Sequence, residues 1–180
     1  MSGPERDVSL RPTRSADLDF VLALEQHPEN RPFIGQWSRA EHEGAIARGD
    51  REHWVIEAPP GAAAGYLIAY DLRAVGLGVY VKRIVVGEKS RGLGRTALAA
   101  FVRRAREERA APCVWLAVLG ENLRAQRAYA AIGFRVAAVS ADERQVYSEA
   151  VGGFSERSLV MVLGEKPGRR AGSPASPAAP

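Results

Sequence analysis

Ser90-Arg91-Gly92-Leu93-Gly94-Arg95-Thr96-Ala97-Leu98, SRGLGRTAL, lies near the middle of the 180-residue chain, a few residues after the apolar run Ile84-Val85-Val86. Two glycines in three residues let a backbone approach a ligand closely, and the stretch opens a helix whose free N–H groups and dipole favour an anion. Residues 93 to 109 hold the most regular helical pattern of the sequence. Leu93, Ala97, Leu98, Phe101, Val102 and Ala105 form one stripe, with Arg95, Arg103, Arg106 and Glu107 off it. A helix apolar on one side covers a sheet, so the stretch reads as strand, anion-binding turn and covering helix.

Working outward, Leu77 to Val86 predicts a long strand before this turn and Cys113 to Leu119 a buried strand after it. Asn122 then caps a helix reaching Ile132, with Gly133 as the residue just past its end. Phe134 to Val139 and Ser158 to Leu163 predict two closing strands. Upstream, Val8 to Leu10 is a short strand ended by Pro12, and ADLDFVLALEQ after Ser15 is a helix. The Ser38/Glu41 capping box starts a second helix that stops near Gly49. HWVIEA and AGYLIAYDL, either side of Pro59-Pro60-Gly61, form an antiparallel hairpin. This order predicts an α/β fold built on a mixed sheet of about seven strands flanked by about four helices. The expected organisation is a flexible N-terminus over 1–7, one domain over 8–163, and a disordered tail over 164–180, rich in Pro, Ala, Ser and Gly.

Composition excludes several classes. At 46% hydrophobic and 26% charged residues the chain is globular, and no apolar run nears the roughly 20 residues of a membrane span. The N-terminus has no basic start followed by an apolar segment, and the single Cys113 forms no internal disulfide, so a cytoplasmic protein is expected. Of the formal net charge of +4, the tail from Gly164 carries +2, which leaves a near-neutral body and predicts no nucleic-acid partner.

The glycine turn admits three readings. A P-loop fails because Leu93 stands where its lysine belongs. A dinucleotide fingerprint fits Gly92, Gly94 and Ala97, with Glu121 after the next strand, but Gly87 to Arg91 intervene between strand and motif, and too little chain follows for a second mononucleotide half. The third reading is an anion-binding helix start. Here Lys89 to Gly94, K-S-R-G-L-G, resembles the [QR]-x-x-G-x-[GA] signature of the GNAT superfamily, the acyl-CoA-dependent N-acyltransferases, with Lys89 in the Gln/Arg position. LGVYVKRIVV resembles the family's fourth strand and VWLAVL its fifth. ENLRAQRAYAAIGF resembles its Asn-to-Tyr helix ending in Gly-Phe. The similarity runs from about residue 8 to 163. RPFIGQWS together with KRIVV looks most like the ribosomal-protein N-terminal acetyltransferase branch.

The resemblance implies acetyl-CoA as co-substrate and no metal. It assigns Ile84, Val85 and Val86 to the pantetheine and thioester, with the N–H near Val86 stabilising the oxyanion, and Arg91, Gly92, Leu93, Gly94, Arg95 and Thr96 to the pyrophosphate. Asn122 contacts the cofactor or serves only as a cap. Tyr129, seven residues on, is the candidate general acid for the departing thiolate. Family carboxylates often sit where this chain has Gly78 and Ala117, so the base is open among water, Glu25, Glu57 and His53. The acceptor site is expected from the loop His27–Ser38, with Phe33 and Trp37 as walls, and from Asp142–Glu156. The implied activity is acetyl transfer to a primary amine of a small molecule or a peptide N-terminus, by direct attack. The alternative is a degenerate acyl-CoA-binding regulatory module. A homodimer fits the fold.

Overall fold

The element order follows the expected sequence closely. It runs β1 (Ser9–Pro12), α1 (Leu18–Gln26), α2 (Arg39–Ala47), β2 (Arg51–Glu57), β3 (Ala63–Asp71), β4 (Val79–Val86), α3 (Leu93–Arg109), β5 (Cys113–Leu119), α4 (Leu123–Ala130), β6 (Arg135–Val136), α5 (Ala141–Ala150) and β7 (Ser158–Gly164). These come from a computed structural model that describes residues 7–89 and 92–168. The seven strands form one sheet in the order β1-β2-β3-β4-β5-β7-β6. Every neighbouring pair is antiparallel except β4 with β5.

The sheet is covered on both faces. Against one face α3 lays down Leu93, Ala97, Leu98, Phe101, Val102 and Ala105, the stripe its helical spacing predicts, onto Ile56, Leu67, Val79, Val81 and Val114. Against the other, Leu18, Val21 and Leu24 of α1 and Tyr147 of α5 pack with Tyr66, Ile68, Tyr80, Val85 and Trp115. The Ser38/Glu41 capping box forms as read, with the Ser38 hydroxyl accepting from the Glu41 N–H.

Two elements differ from the sequence reading. The closing strand expected over Phe134–Val139 pairs with β7 only at Arg135 and Val136. Its remainder turns into α5, a fifth helix where about four were expected, whose start is a second capping box, Ser140 with Glu143. Of the expected tail, Lys166 pairs with Glu143 at 2.6 Å, and the Pro167 carbonyl accepts from the Tyr147 hydroxyl. Residues 1–6 and 169–180 lie outside the described residues. Among the described residues no helix is long and apolar enough to cross a membrane.

Candidate active site

The site arises from one departure in the sheet. β4 and β5 pair in parallel at only two positions, Val79 with Val114 and Tyr80 with Trp115. Beyond them β5 stays paired with β7 through Leu119, and β4 stays paired with β3 through Val86, so the two strands part. The gap opens a cleft of about 830 Å3, walled by Val81–Val86 on one side and Leu116–Leu119 on the other. The inner edge of β4 is a row of backbone groups. The Gly87 N–H donates to Ala64 of β3 at 2.9 Å, and amides alternate sides along a strand, so the Val86 N–H points away from β3 and into the gap. The Val86 carbonyl points the same way and accepts a hydrogen bond from the Lys89 ammonium. Lys89, at the signature's Gln/Arg position, thus closes the turn onto its own strand.

One end of the cleft is the start of α3. Gly92 is the N-cap, with φ +76°, and supplies no side-chain cap. The first intrahelical bond runs from the Thr96 N–H to the Gly92 carbonyl at 3.0 Å. The N–H groups of Leu93, Gly94 and Arg95 precede that bond and have no helical acceptor. Gly92, Leu93, Gly94 and Arg95 all line the cleft. Thr96 does not, and its amide is already committed to the helix. Arg91 lies outside the described residues. Ile84, Val85 and Val86 line the cleft.

α4 supplies the opposite lip. Asn122 caps it, its side-chain oxygen accepting from the Ala125 N–H at 3.2 Å, and also lines the cleft. Two turns on, the partly buried Tyr129 packs against Phe134, with ring centroids 6.2 Å apart, and lines the cleft as well. Its hydroxyl has no hydrogen-bond partner among the described residues. Burial pushes it up to about 12, so it is protonated at neutral pH.

The three candidate bases sit elsewhere. Glu57, at the end of β2, accepts from Arg11, Ser9 and the Gly61 N–H, far along the sheet from the gap. His53 is buried under Tyr66 and lies 2.8 Å from the Thr13 hydroxyl and 3.0 Å from His42. Burial, helped by His42 and Arg83, pushes it down to about 4. Glu25 is 1% exposed and its oxygens are fully engaged. Oε1 accepts from Tyr66 at 2.6 Å and from Arg83, with the His42 ring nitrogen at 3.2 Å, and Oε2 accepts from the Trp37 N–H at 3.0 Å. Burial acts to raise its pKa, but His42, Arg83, Trp37 and Tyr66 together outweigh it and hold the carboxyl at about 2. A carboxylate so saturated is a strut, not a base. It fixes Arg83 and the backbone at Trp37, both of which do line the cleft.

Gly78, where a family carboxylate often sits, has φ +68°, and a Cβ there would fall 2.4 Å from the Cys113 sulfur. β4 and β5 approach too closely at that point for any side chain. Ala117 faces the cleft. The expected acceptor segments both reach it, the first through Phe33 and Trp37 among others, the second through Gly153, Phe154 and Ser155. Lys82 and Arg83 also line the cleft. The sequence reading did not single them out, although two consecutive cations inside an apolar strand were a visible signal.

The acetyltransferase (GNAT) family matches residues 18–134. Among curated proteins none matches. Solved structures that resemble the chain include the spermidine N-acetyltransferase of Vibrio cholerae in complex with CoA and spermine, at 17% identity and a TM-score of 0.70, over 88% of this chain and 95% of that one. A dodecameric form of the Vibrio cholerae enzyme resembles it at 18% identity and a TM-score of 0.66, over 88% and 94%. A domain from Methanocaldococcus jannaschii does so at 15% identity and a TM-score of 0.68, over 89% and 99%. At these identities the likeness is one of fold.

Proposed function

This chain belongs to the acetyltransferase (GNAT) family, and we propose that it transfers an acetyl group from acetyl-CoA to a primary amine by direct attack. The observation that carries this reading is the parting of β4 from β5 beside an uncapped helix start. The inner edge of Ile84–Val86 offers backbone groups to the amides of a pantetheine arm, and the free N–H groups of Leu93, Gly94 and Arg95 suit a pyrophosphate. The Val86 N–H, pointing into the gap, stabilises the oxygen that gains charge as the amine attacks the thioester.

Tyr129 donates toward the leaving sulfur. Its value of about 12 keeps its proton in place, and also exceeds the roughly 8.5 of an ordinary thiol. Complete transfer is uphill by that gap, so the hydroxyl acts chiefly by hydrogen bonding to the thiolate as it departs. Of the candidate bases, Glu25, Glu57 and His53 all lie off the cleft wall, which leaves proton loss through water. The acceptor is a small-molecule amine, the class on which the Vibrio cholerae enzyme acts. A ribosomal-protein N-terminus is the competing acceptor, implied by the branch resemblance.

Calorimetric titration with acetyl-CoA, with NADH and ATP as controls, tests the cofactor assignment; micromolar binding of acetyl-CoA alone supports it, and binding of a nucleotide in its place overturns it. Release of free CoA on adding amines then separates an enzyme from a degenerate acyl-CoA-binding module. Tyr129→Phe is expected to lower kcat by about a hundredfold while leaving the acetyl-CoA affinity unchanged. Undiminished turnover would remove Tyr129 from the reaction.

A further inference from the structure

β4 carries an irregularity that changes which side chains meet the acceptor. Its register against β3 shifts between Ile68, paired with Arg83, and Ala69, paired with Val81, so Lys82 is an extra residue. Val81 and Ile84 face α3, while Tyr80 and Val85 face the other side of the sheet. Lys82 and Arg83 between them both turn to that second side. Lys82 reaches the Val151 and Gly153 carbonyls at 3.3 and 3.5 Å, and Arg83 reaches Glu25 and lies 4.7 Å over the Trp37 ring. The bulge thus sets two adjacent cations on the wall between the Trp37 loop and the end of α5.

Their donors are not used up. Arg83 is 6% exposed yet lines the cleft, and Nη1 donates to Glu25. Beyond Glu25 and the Tyr66 hydroxyl no hydrogen bond of its guanidinium is found among the described residues, and Lys82 has no carboxylate partner there. Nearby Glu41 is bound by the Ser38 N–H and hydroxyl in its capping box. Glu41 nonetheless stays ionised within electrostatic reach of Arg83, so the two cations face one buried carboxylate, Glu25, and one exposed one, with donors left over on the cleft wall. Charged donors at a half-desolvated wall favour an anion that completes their bonds.

We propose that Lys82 and Arg83 form an anion subsite in the acceptor half of the cleft, so that the amine this protein acetylates also carries a carboxylate. The planar guanidinium offers unspent N–H groups to a carboxylate, and the ammonium adds a second charge-assisted donor. A polyamine is disfavoured at this subsite, because it would set further positive charge against the two cations. This inference rests on the acetyl-transfer reading and adds the acceptor class to it.

The test measures CoA release at saturating acetyl-CoA for the L-amino acids and short peptides, each beside its C-terminal carboxamide, with spermidine as a third arm. At least one carboxylate-bearing amine is expected to exceed its own carboxamide in kcat/KM by about tenfold or more, the size of a charge-assisted contact. Lys82→Gln is expected to shrink that ratio several-fold through KM, with the acetyl-CoA affinity unchanged. Comparing acid with amide on the unaltered protein requires no variant to fold. Carboxamides or spermidine used as well as the acids would overturn the subsite and leave acetyl transfer standing, as would acetyl-CoA binding with no acid turned over. Failure to bind acetyl-CoA, with no CoA released by any amine, would instead remove the acetyl-transfer reading itself.

Discussion

Glu25→Gln removes the buried carboxylate that Arg83 bonds behind the cleft wall. The carboxylate is held at about 2 against an ordinary 4.5. That difference corresponds to about 3 kcal/mol of stability from ionised Glu25. Because the folded value lies below the unfolded one, this contribution is fully present above pH 4.5. It is lost as the pH falls from there toward 2. Glutamine keeps one acceptor oxygen but turns an amide donor toward either the Trp37 N–H or the Arg83, Tyr66 and His42 group. It also takes from the buried Arg83 cation the carboxylate it is bonded to. Breaking a buried pair from one side costs about 3–5 kcal/mol, a large share of the roughly 5–15 kcal/mol available to a domain. Urea unfolding at pH 7 should show a loss of that size, and the variant should lose less further stability than the parent between pH 5 and pH 3. Adding Arg83→Met to Glu25→Gln should recover most of the loss, since it removes the orphaned charge. A pH 7 loss below about 1 kcal/mol, or a double variant no better than the single, would refute the account of Glu25 as a charged strut.

Two further substitutions separate packing from ligand contact. Gly78→Ala places a methyl 2.4 Å from the Cys113 sulfur and 2.7 Å from its carbonyl oxygen at a positive φ. It should cost about 2–4 kcal/mol in the urea midpoint, and an alanine variant as stable as the parent would show that the strands can part there. Asn122→Ala removes the α4 cap and should cost about 1 kcal/mol. Calorimetry on the same variant decides its second role: an acetyl-CoA affinity within twofold of the parent leaves Asn122 a cap, and a tenfold loss makes it a cofactor contact.

What was legible in the sequence was whatever depends on local period. The α3 stripe, the Ser38/Glu41 cap and the bounds of β5 are all set by residues within a turn or two of one another. α5 was equally local, since Ser140 and Glu143 repeat the Ser38/Glu41 pattern, but the alternation after Phe134 favoured a longer strand. The Glu25 site was not legible. Its partners Trp37, His42, Tyr66 and Arg83 come from four other parts of the chain, and only the fold determines that they saturate the carboxylate. The same holds for Gly78, whose lack of a side chain looks like a missing catalytic group until Cys113 is found against it.

β4 has to serve two sides of one gap, and its irregularity suits both. An edge of unpaired N–H and C=O groups inside a protein is a liability in a bare sheet. Here that edge faces a cleft in which an amide-bearing ligand can supply the missing bonds. A strictly alternating strand would then send only every second side chain to the acceptor face. The extra residue at Lys82 breaks that limit and delivers two consecutive cations to the face of Trp37 and the end of α5, while Val81 and Ile84 stay in the core under α3. On the proposed reading, backbone would serve one ligand and side chains the other, from the same few residues. Straightening the strand by deleting Lys82 would restore the alternation and remove half of the proposed subsite at once.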